Sequence, residues 1–458
     1  MLHLSDTIAA TATPPGEGGV GIVRVSGSAA FAIADALFRC RAGAPSTLDS
    51  HTIHYGVVRD GGDRIDDALL LVFRGPHSYT GEDVVELSCH GGPVTLGRVL
   101  GAALRAGARL AEPGEFTQRA FLNRRMDLAQ AEAVADQIRA RTEAAQRVAV
   151  RQREGQLSAA VRALKEELVG ALAAVEVTID FSEEIGDLDY AAMRERIGRI
   201  RAGAEGLLST VGRGRVYREG VRLAIIGRPN VGKSSLLNAL LKEDRAIVTP
   251  VAGTTRDVIE ETANIRGIPV TAIDTAGLRE TEDLVERIGV ERARTALESA
   301  ALVLFVFDAS VGWTADDERV AATLGGQPAI WVANKIDLTN NAGLESIQQA
   351  SAGFPLAEVS ARTGEGIKFL ERTIADTILG GSVDAGEGAV VSNARHEHAL
   401  RSAVESLARA EETTSACLPA DFISIDLRAA LDSLGLITGE TATDDVIHRI
   451  FHDFCVGK

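Results

Sequence analysis

Several features are scarce in this chain of 458 residues. Its four cysteines, Cys40, Cys89, Cys417 and Cys455, are scattered and include no Cys-x-x-Cys pair, so neither a disulfide scaffold nor a zinc ribbon is indicated. No apolar run reaches the ~18 residues of a membrane span. The first residues lack the basic and apolar regions of a secretory signal. We therefore expect a cytoplasmic protein that makes no use of a membrane.

Positive charge is also in short supply. The chain has 64 acidic against 48 basic residues, a formal net charge of −16. This argues against a broadly basic nucleic-acid-binding surface but leaves room for local basic patches. The hydrophobic fraction of 45% is ordinary for a globular protein, and the length predicts two or three domains.

The sequence shows three kinds of region, which differ in their pattern of apolar residues and turns. Residues 1–120 mix short β-type runs with Gly/Pro turns, which predicts an α+β domain. Residues 121–216 and 385–458 place apolar residues at three- and four-residue steps, which predicts long helices in a bundle, since no heptad persists. Residues 217–384 alternate apolar strands, among them VRLAII, ALVLFVF and AIWVA, with helices, as parallel sheets do. Insertion of this α/β region into one discontinuous helical domain is favoured over two separate helical units.

The α/β region carries a phosphate-binding loop. GRPNVGKSS begins at Gly227, after the strand-like VRLAII and before the helical LLNALL. Main-chain N–H groups and the helix N-terminus favour phosphate oxygens there. We expect Lys233 to reach the β- and γ-phosphates and Ser234 to bind Mg²⁺. The nucleotide-binding residues predicted in this loop are Asn230, Val231, Gly232, Lys233, Ser234 and Ser235.

Four further motifs follow in order and predict a GTP-binding G domain. One is a loop able to close over Mg²⁺, and the next suits a Mg²⁺-linked carboxylate beside the γ-phosphate. In the third, Asp337 can accept hydrogen bonds from guanine N1 and N2, donors that adenine lacks, and the fourth offers main chain to guanine O6. The residues are Thr249, Pro250, Val251, Ala252, Gly253, Thr254 and Thr255; Asp274, Thr275, Ala276 and Gly277; Asn334, Lys335 and Asp337; and Ser360, Ala361 and Arg362. The fold class predicted is therefore multidomain, with an α+β N-terminal domain, a discontinuous helical bundle and an inserted α/β P-loop G domain.

The residue that usually orients the attacking water in GTP hydrolysis is missing from this sequence. Leu278 stands where small regulatory GTPases have a glutamine that orients the water. Hydrolysis is then either negligible or assisted by another group, and the acidic segment 278–289 offers several carboxylates, each of which also suits a solvated helix start. Charge compensation can come from an arginine finger or from a monovalent cation held by Asn230 and carbonyls of residues 249–254.

At full length the chain resembles the MnmE/TrmE family of tRNA-modifying GTPases. The resemblance implies an N-terminal domain that dimerises and binds folate, a split helical domain and an inserted G domain. It also implies potassium-stimulated GTP hydrolysis by a homodimer. The stretches that carry it are DTIAATATPPGEGGVGIVRVSG, YTGEDVVELSCHGGP, EPGEFTQRAFLNRRMDLAQAEAVADQI, GRPNVGKSSLLNAL, VAGTTRD, DTAGLRETEDLVERIG, NKID and the terminal CVGK.

The resemblance implies roles for individual residues. Glu286 matches a catalytic glutamate that acts through water, and Arg256 and Arg279 match switch residues. By the same match, Ser234 and Thr255 bind Mg²⁺, and Asn230, Thr249, Val251 and Thr254 bind K⁺. 5-formyltetrahydrofolate, or a related one-carbon tetrahydrofolate, is placed near Arg24, Glu86, Arg125 and Lys458. Without the family, Arg24 reads as a surface arginine.

The implied reaction adds a carboxymethylaminomethyl or aminomethyl group to C5 of the wobble uridine of certain tRNAs. The family acts with an FAD- and NADH-dependent partner, MnmG (GidA), in a hetero-oligomer, and this chain shows no flavin motif of its own. Cys455 becomes a candidate for the modification chemistry. In the tail, Gly457 is expected to let the backbone leave the last helix, and Lys458 to supply charge toward folate.

Other interpretations compete with this one. A GTP-switched ribosome-assembly or RNA-binding GTPase without modification chemistry is the main alternative, although the basic domain typical of such proteins is not visible. The terminal Cys-Val-Gly-Lys fits a prenylation box poorly. On a continuous helix His448, His452 and Cys455 share one face and can hold zinc, but an interfacial stripe explains them as well.

A group of arginines can face tRNA, although pairing with neighbouring glutamates on helix surfaces is the default expectation. These are Arg119, Arg124, Arg139, Arg141, Arg147, Arg151 and Arg153.

Overall fold

The computed structural model describes residues 6–243, 262–273, 299–381 and 388–458, apart from 182, 183, 185, 325, 339, 340 and 352. The chain divides into two compact units. The first comprises Met1–Ala135, Arg153–Glu176 and Ser424–Lys458, and the second comprises Asp136–Gln152 and Val177–Ile423. Within the described residues, no helix has both the length and the apolar character needed to cross a membrane.

The strands of the described residues are β1 Ile8–Thr11, β2 Gly18–Ser26, β3 Phe38–Cys40, β4 Thr52–Asp60, β5 Asp63–Phe73, β6 Val84–Gly91, β7 Arg109–Leu110, β8 Val221–Ile226, β9 Thr262–Ile265, β10 Ile268–Ile273, β11 Leu302–Asp308, β12 Ala329–Asn334 and β13 Leu356–Glu358. The helices are α1 Ala30–Leu37, α2 Pro93–Arg105, α3 Glu115–Leu122, α4 Leu128–Arg139, α5 Glu143–Arg153, α6 Gln156–Asp180, α7 Tyr190–Leu208, α8 Val211–Glu219, α9 Lys233–Glu243, α10 Ala315–Ala321, α11 Asn341–Ala350, α12 Ile367–Leu379, α13 Ala394–Ser415, α14 Ala420–Thr438 and α15 Asp444–His452.

The first unit is built on a sheet with the strand order β3-β4-β5-β6-β2-β1-β7 among its described residues. Neighbouring strands are antiparallel except β1 and β7, which are parallel. Helices α1 and α2 cover one face, where Val23 and Val25 join the buried core. Because side chains alternate along a strand, Arg24 between them belongs to the opposite face.

The last helix of the chain also belongs to the first unit. Ile447, Phe451 and Phe454 are buried against Leu128 and Ala131 of α4. Helix α15 ends at His452, with Asp453 as its C-cap. The prediction of one continuous helix face carrying His448, His452 and Cys455 is therefore wrong. No cluster of three metal-ligating side chains occurs in the part of the chain that the structure describes.

The second unit contains a sheet in the order β13-β12-β11-β8-β10-β9, as far as its residues are described. All its pairs are parallel except β9 with β10. Both faces are buried, since Leu223 and Ile225 join one core and Ala224 and Ile226 join another. The strands predicted from VRLAII, ALVLFVF and AIWVA are thereby confirmed, and their continuous apolar runs follow from burial on both sides.

The predicted fold class, with α+β, helical and α/β parts, is confirmed. Helices from 121–216 and 385–458 occur in both units, and α7 packs along α13 within the second. Where the domains begin and end stays a prediction.

Candidate functional site

The loop between β8 and α9 brings main chain close to the end of β12. Gly232 has a φ of +95°, and a Cβ at this position would lie 2.3 Å from Asn334 Nδ2. Asn334 Nδ2 donates to the carbonyl of Val231 at 2.9 Å, and Asn334 Oδ1 accepts from the N–H of Ala361 at 3.0 Å. Asn334 thus ties three of the predicted motifs together, and glycine is needed at 232 for this close approach.

Lys335 fixes the same loop through hydrogen bonds from its ammonium group. Its Nζ donates to the carbonyl of Asn230 at 2.6 Å and to Asp308 Oδ2 at 2.6 Å. Asn230 and Lys335 both have left-handed backbone, with φ of +63° and +66°, which costs ~1–2 kcal/mol for a residue with a Cβ. Such strain persists where surrounding contacts hold it, and it is common at functional sites.

Asp308 is a member of this site that the sequence interpretation missed. It ends β11 at the carboxyl edge of the parallel sheet, which is the edge where ligands of such sheets bind, so its position was the available signal. Burial raises the pKa of this carboxyl, but hydrogen bonds from Lys335 and Ser310 outweigh it and hold the pKa below its ordinary value. Asp308 is therefore ionised at neutral pH and orients the Lys335 ammonium.

Asp337 lies at the rim of a depression of about 730 Å³ that Gly232, Asn334 and Ala361 also line. Its Oδ1 accepts from Ser360 Oγ at 2.6 Å, and its Oδ2 accepts from Arg362 Nε at 3.0 Å. The bond from Ser360, followed by the contact with Arg362, holds the pKa of Asp337 below its usual value. The result is an ionised acceptor of fixed orientation, which suits the N1 and N2 donors of guanine.

The remaining loop residues lie beside this depression. Lys233 Nζ donates to the carbonyls of Gly227 and Arg228 at 2.9 and 2.8 Å. Ser234, Ser235 and the Asn230 side chain are exposed to solvent. The other predicted residues lie outside the described part of the chain: Thr249, Pro250, Val251, Ala252, Gly253, Thr254, Thr255, Arg256, Asp274, Thr275, Ala276, Gly277, Leu278, Arg279 and Glu286.

A second cluster forms on the outer face of the sheet in the first unit. Arg24 Nε and Glu86 Oε1 are 2.7 Å apart, and both side chains are 14% exposed. The Arg24 guanidinium also lies 5.2 Å from the ring centre of Tyr79 and 5.5 Å from that of Phe116. Arg24 is therefore not the surface arginine that its local sequence indicates.

The C-terminal residues complete this cluster. The N–H of Phe116 donates to the carbonyl of Lys458 at 3.2 Å, and Arg24 Nη1 donates to that of Gly457 at 3.5 Å. Burial, followed by the nearby Arg24, lowers the pKa of the Lys458 ammonium. Gly457 has a φ of +92°, and a Cβ there would lie 2.3 Å from the carbonyl oxygen of Thr11. The expected role of Gly457 in leaving the helix is wrong, because the helix ends earlier; Gly457 instead allows close approach to β1.

The fourth predicted folate residue, Arg125, and the reactive-cysteine candidate, Cys455, differ in their surroundings. Arg125 packs beside Gly81, and no bond or ion pair of the described residues joins it to Arg24, Glu86 or Lys458. Cys455 is exposed, and its carbonyl accepts from the N–H of Gly114 at 3.3 Å.

The arginines that were expected on helix surfaces separate into classes. Arg119 is 1% exposed and pairs with Asp6, Glu82 and Glu115, so it is a core residue and not part of a surface patch. Arg147 pairs with Glu143 four residues earlier, as expected by default.

Comparison with known proteins assigns the chain to a family. Residues 7–125 match the family described as GTP-binding protein TrmE N-terminus, and residues 128–455 match the MnmE helical domain. The chain is 46% identical over 455 residues to the tRNA modification GTPase MnmE of Listeria welshimeri and 50% identical over 463 residues to that of Symbiobacterium thermophilum, in each case over 99% of both chains.

Among solved structures, Aquifex aeolicus Era bound to GDP and aluminium fluoride is 30% identical, with a TM-score of 0.29 over 41% of this chain and 66% of Era. The family matches cover both the N-terminal and helical regions, and the identity to curated relatives extends over nearly all of the sequence. This chain belongs to the MnmE (TrmE) family of tRNA modification GTPases.

Proposed function

We propose that this GTP hydrolase is stimulated by potassium and acts with the FAD-dependent partner MnmG (GidA). Together they add a carboxymethylaminomethyl or aminomethyl group to C5 of the wobble uridine of certain tRNAs in the cytoplasm. The observation that supports this most is the cluster of Arg24, Glu86 and the C-terminal Gly457-Lys458. A GTPase that acts only as a switch has no use for such a polar site in a unit that does not contain its nucleotide loop.

The nucleotide site supports the GTPase part of the proposal. Asp337 offers acceptors to guanine, and Gly232 of the phosphate-binding loop lines the same depression. The Asn230 amide makes no hydrogen bond with another described residue, so it is available as a cation ligand. Bound Mg²⁺ and K⁺ supply positive charge opposite the phosphates. The proposed Mg²⁺ ligands are Ser234 and Thr255, and the proposed K⁺ ligands are Asn230, Thr249, Val251 and Thr254.

The outer face of the N-terminal sheet supports a folate site and a homodimer. Glu86 can accept from the pterin edge, while Arg24, Arg125 and Lys458 carry charge suited to the carboxylates of a tetrahydrofolate. Register places Ile53, Leu71, Glu86 and Arg24 side by side on this face. Ile53 is 62% exposed there, and its neighbours Tyr55 and Leu69 are 69% and 42% exposed. Exposed apolar residues grouped in this way are typical of a protein interface.

Nucleoside analysis of tRNA tests the modification. Cells lacking the protein should lose the C5 modification of the wobble uridine, and the wild-type gene should restore it. Cys455→Ser should fail to restore it while sparing GTP hydrolysis, because the thiol is exposed and remote in sequence from the G motifs. Unmodified uridines are the expected result, and wild-type modification in the deletion strain would overturn the proposal in favour of a switch GTPase.

Kinetics of purified protein test the GTPase part separately. Glu286→Ala should reduce the turnover number strongly with GTP affinity near normal, and replacing K⁺ by Na⁺ should slow hydrolysis. Asp337→Asn should shift preference toward xanthine nucleotides, since the amide can donate to the xanthine 2-oxo group. Equal rates in both salts would refute the assignment of Asn230, and retained GTP preference would refute that of Asp337.

A further inference from the structure

A basic depression in the first unit extends beyond these sites and shares only Arg125 with the proposed folate residues. Its volume is about 750 Å³, and Arg124, Arg125 and Arg162 line it together with Gln130. The side chain of Gln130 donates from Nε2 to the main-chain oxygen of Arg153 at 2.9 Å, which brings a fourth arginine to its edge. We call this group of four arginines the Gln130 surface.

The guanidinium groups of the Gln130 surface have few partners. Arg124, Arg125 and Arg153 are exposed and make no ion pair or side-chain hydrogen bond with another described residue. Arg162 uses its Nε on the carbonyl of Ser158 at 3.2 Å. Two other exposed arginines of the same unit do have partners, since Arg64 pairs with Asp67 and Arg105 with Asp60.

The nearby acids do not balance this charge. Glu440, on the rim, is engaged first by a bond from Lys165 and also by the charge of Arg162, and both lower the pKa of this carboxyl. Asp127 Oδ1 accepts from the N–H of Gln130 at 3.0 Å and so caps α4. Positive charge is therefore in local excess on a chain whose net charge is −16. Like charges gathered without partners repel one another, and a polyanion removes that repulsion.

Backbone conformation adds a second indication. Arg124 has a φ of +57°, a left-handed conformation that is unfavourable for a residue with a Cβ. It projects from the turn between α3 and α4, where the N–H of Arg124 donates to the carbonyl of Phe121 and that of Arg125 to Ala120. These bonds fix two consecutive arginines at the mouth of the depression.

We propose that the Gln130 surface binds the phosphate backbone of the tRNA substrate. This rests on the proposed function, because it takes tRNA as the substrate. Guanidinium groups match phosphate oxygens in bidentate geometry, and arginines are favoured for this contact. Of the seven arginines that the sequence offers as a tRNA-facing patch, Arg124 and Arg153 belong to the surface, whereas Arg119 is buried. Arg125 and Arg162 extend it.

The test compares two double variants of the full-length protein in binding to a fluorescent tRNA transcript across a series of salt concentrations. Arg153→Gln/Arg162→Gln removes two charges from the Gln130 surface. Each lost phosphate contact reduces the slope of log K against log salt by ~0.7–0.9. The slope should therefore fall by about 1.5, and the affinity at 0.1 M salt by about 30-fold. The matched control, Arg64→Gln/Arg105→Gln, removes two paired arginines and should leave both quantities near wild type.

The outcomes separate the inference from the proposed function. GTP hydrolysis without tRNA should be the same in both variants and the wild type, which also shows that they fold. An unchanged salt slope in Arg153→Gln/Arg162→Gln, or an equal loss in the control, would overturn the Gln130 surface while leaving tRNA as substrate. Loss of 5-formyltetrahydrofolate binding with tRNA affinity retained would assign the arginines to the folate site. A wild-type chain that does not bind tRNA would refute both.

Discussion

Replacing Gly457 by alanine tests whether the C-terminal residues must lie against the N-terminal sheet. At a φ of +92° the new Cβ carries the ~1–2 kcal/mol of a left-handed residue. It would also lie 2.3 Å from the carbonyl oxygen of Thr11, and rotation of a side chain cannot relieve an overlap with main chain. The carbonyls of Gly457 and Lys458 accept two hydrogen bonds, from Arg24 Nη1 and from the N–H of Phe116, each worth ~0.5–1.5 kcal/mol. Strain and overlap together exceed that gain, so the tail of the variant should leave the sheet.

Amide hydrogen exchange measures this directly. The N–H of Phe116, which donates to Lys458 in the wild type, should exchange at least about tenfold faster, since ~1.4 kcal/mol corresponds to a factor of ten. Affinity for 5-formyltetrahydrofolate, measured by titration calorimetry, should fall in parallel. Gly61→Ala is the matched control, because φ there is +59° and no atom lies within 4 Å of the added Cβ. Unchanged protection of Phe116 in the Gly457 variant would refute the reasoning.

Three further predictions concern the first unit. Arg119→Ala leaves Glu115, which is 1% exposed, without its buried partner. The free energy of unfolding in urea should fall by ~3–5 kcal/mol, and a loss below about 1 kcal/mol would contradict the role of this buried ion pair. Burial raises the pKa values of Asp6 and Glu115, but bonds from Arg109 and Arg119 outweigh it and lower both pKa values overall. The two carboxylates therefore stabilise the folded protein above their ordinary pKa values of 3.8 and 4.5, and this stabilisation is lost as the pH falls below them. The melting temperature should drop in this acidic range, and it should drop less in Glu115→Gln. Burial raises the pKa of Cys89 to about 12, so iodoacetamide at pH 8 should label exposed Cys455 and spare Cys89 until the protein unfolds, as peptide mass spectrometry would show; equal labelling in the folded state would refute it.

Secondary structure could be predicted best where the residues of a single segment determine its conformation and burial. The run ALVLFVF predicts a strand because a central parallel strand is buried on both faces, and β11 is such a strand. The G-x(4)-G-K-S loop specifies both its turn and the helix that follows. By contrast, β1 and β7, with four and two residues, are too short for a pattern to emerge.

The candidate site was harder to predict where distant segments meet. Arg24 alternates with Val23 and Val25, which is the pattern of a strand with one solvated face, and nothing local indicates that residues 433 positions away cover it. The end of α15 before Cys455 depends on packing against α3, where Gly114 has room for the carbonyl of Phe451. Asp308 gains its role from Lys335, a partner that follows another strand, β12. Tertiary contacts, not propensity, decide each of these features.

The order in which a ribosome delivers the three segments of the first unit has a consequence for biosynthesis. The segment that begins at Ser424 emerges only after the entire second unit. The sheet is complete at Leu110, 348 residues before Lys458, so at ~5–20 residues per second it waits roughly 17–70 s for this segment. During that interval Leu128 and Ala131 lack their apolar cover from α15, and apolar surface exposed in this way favours aggregation. A product released before Ser424 can carry every G motif and still lack the Arg24–Lys458 cluster, so that cluster reports that translation has passed through the last helix.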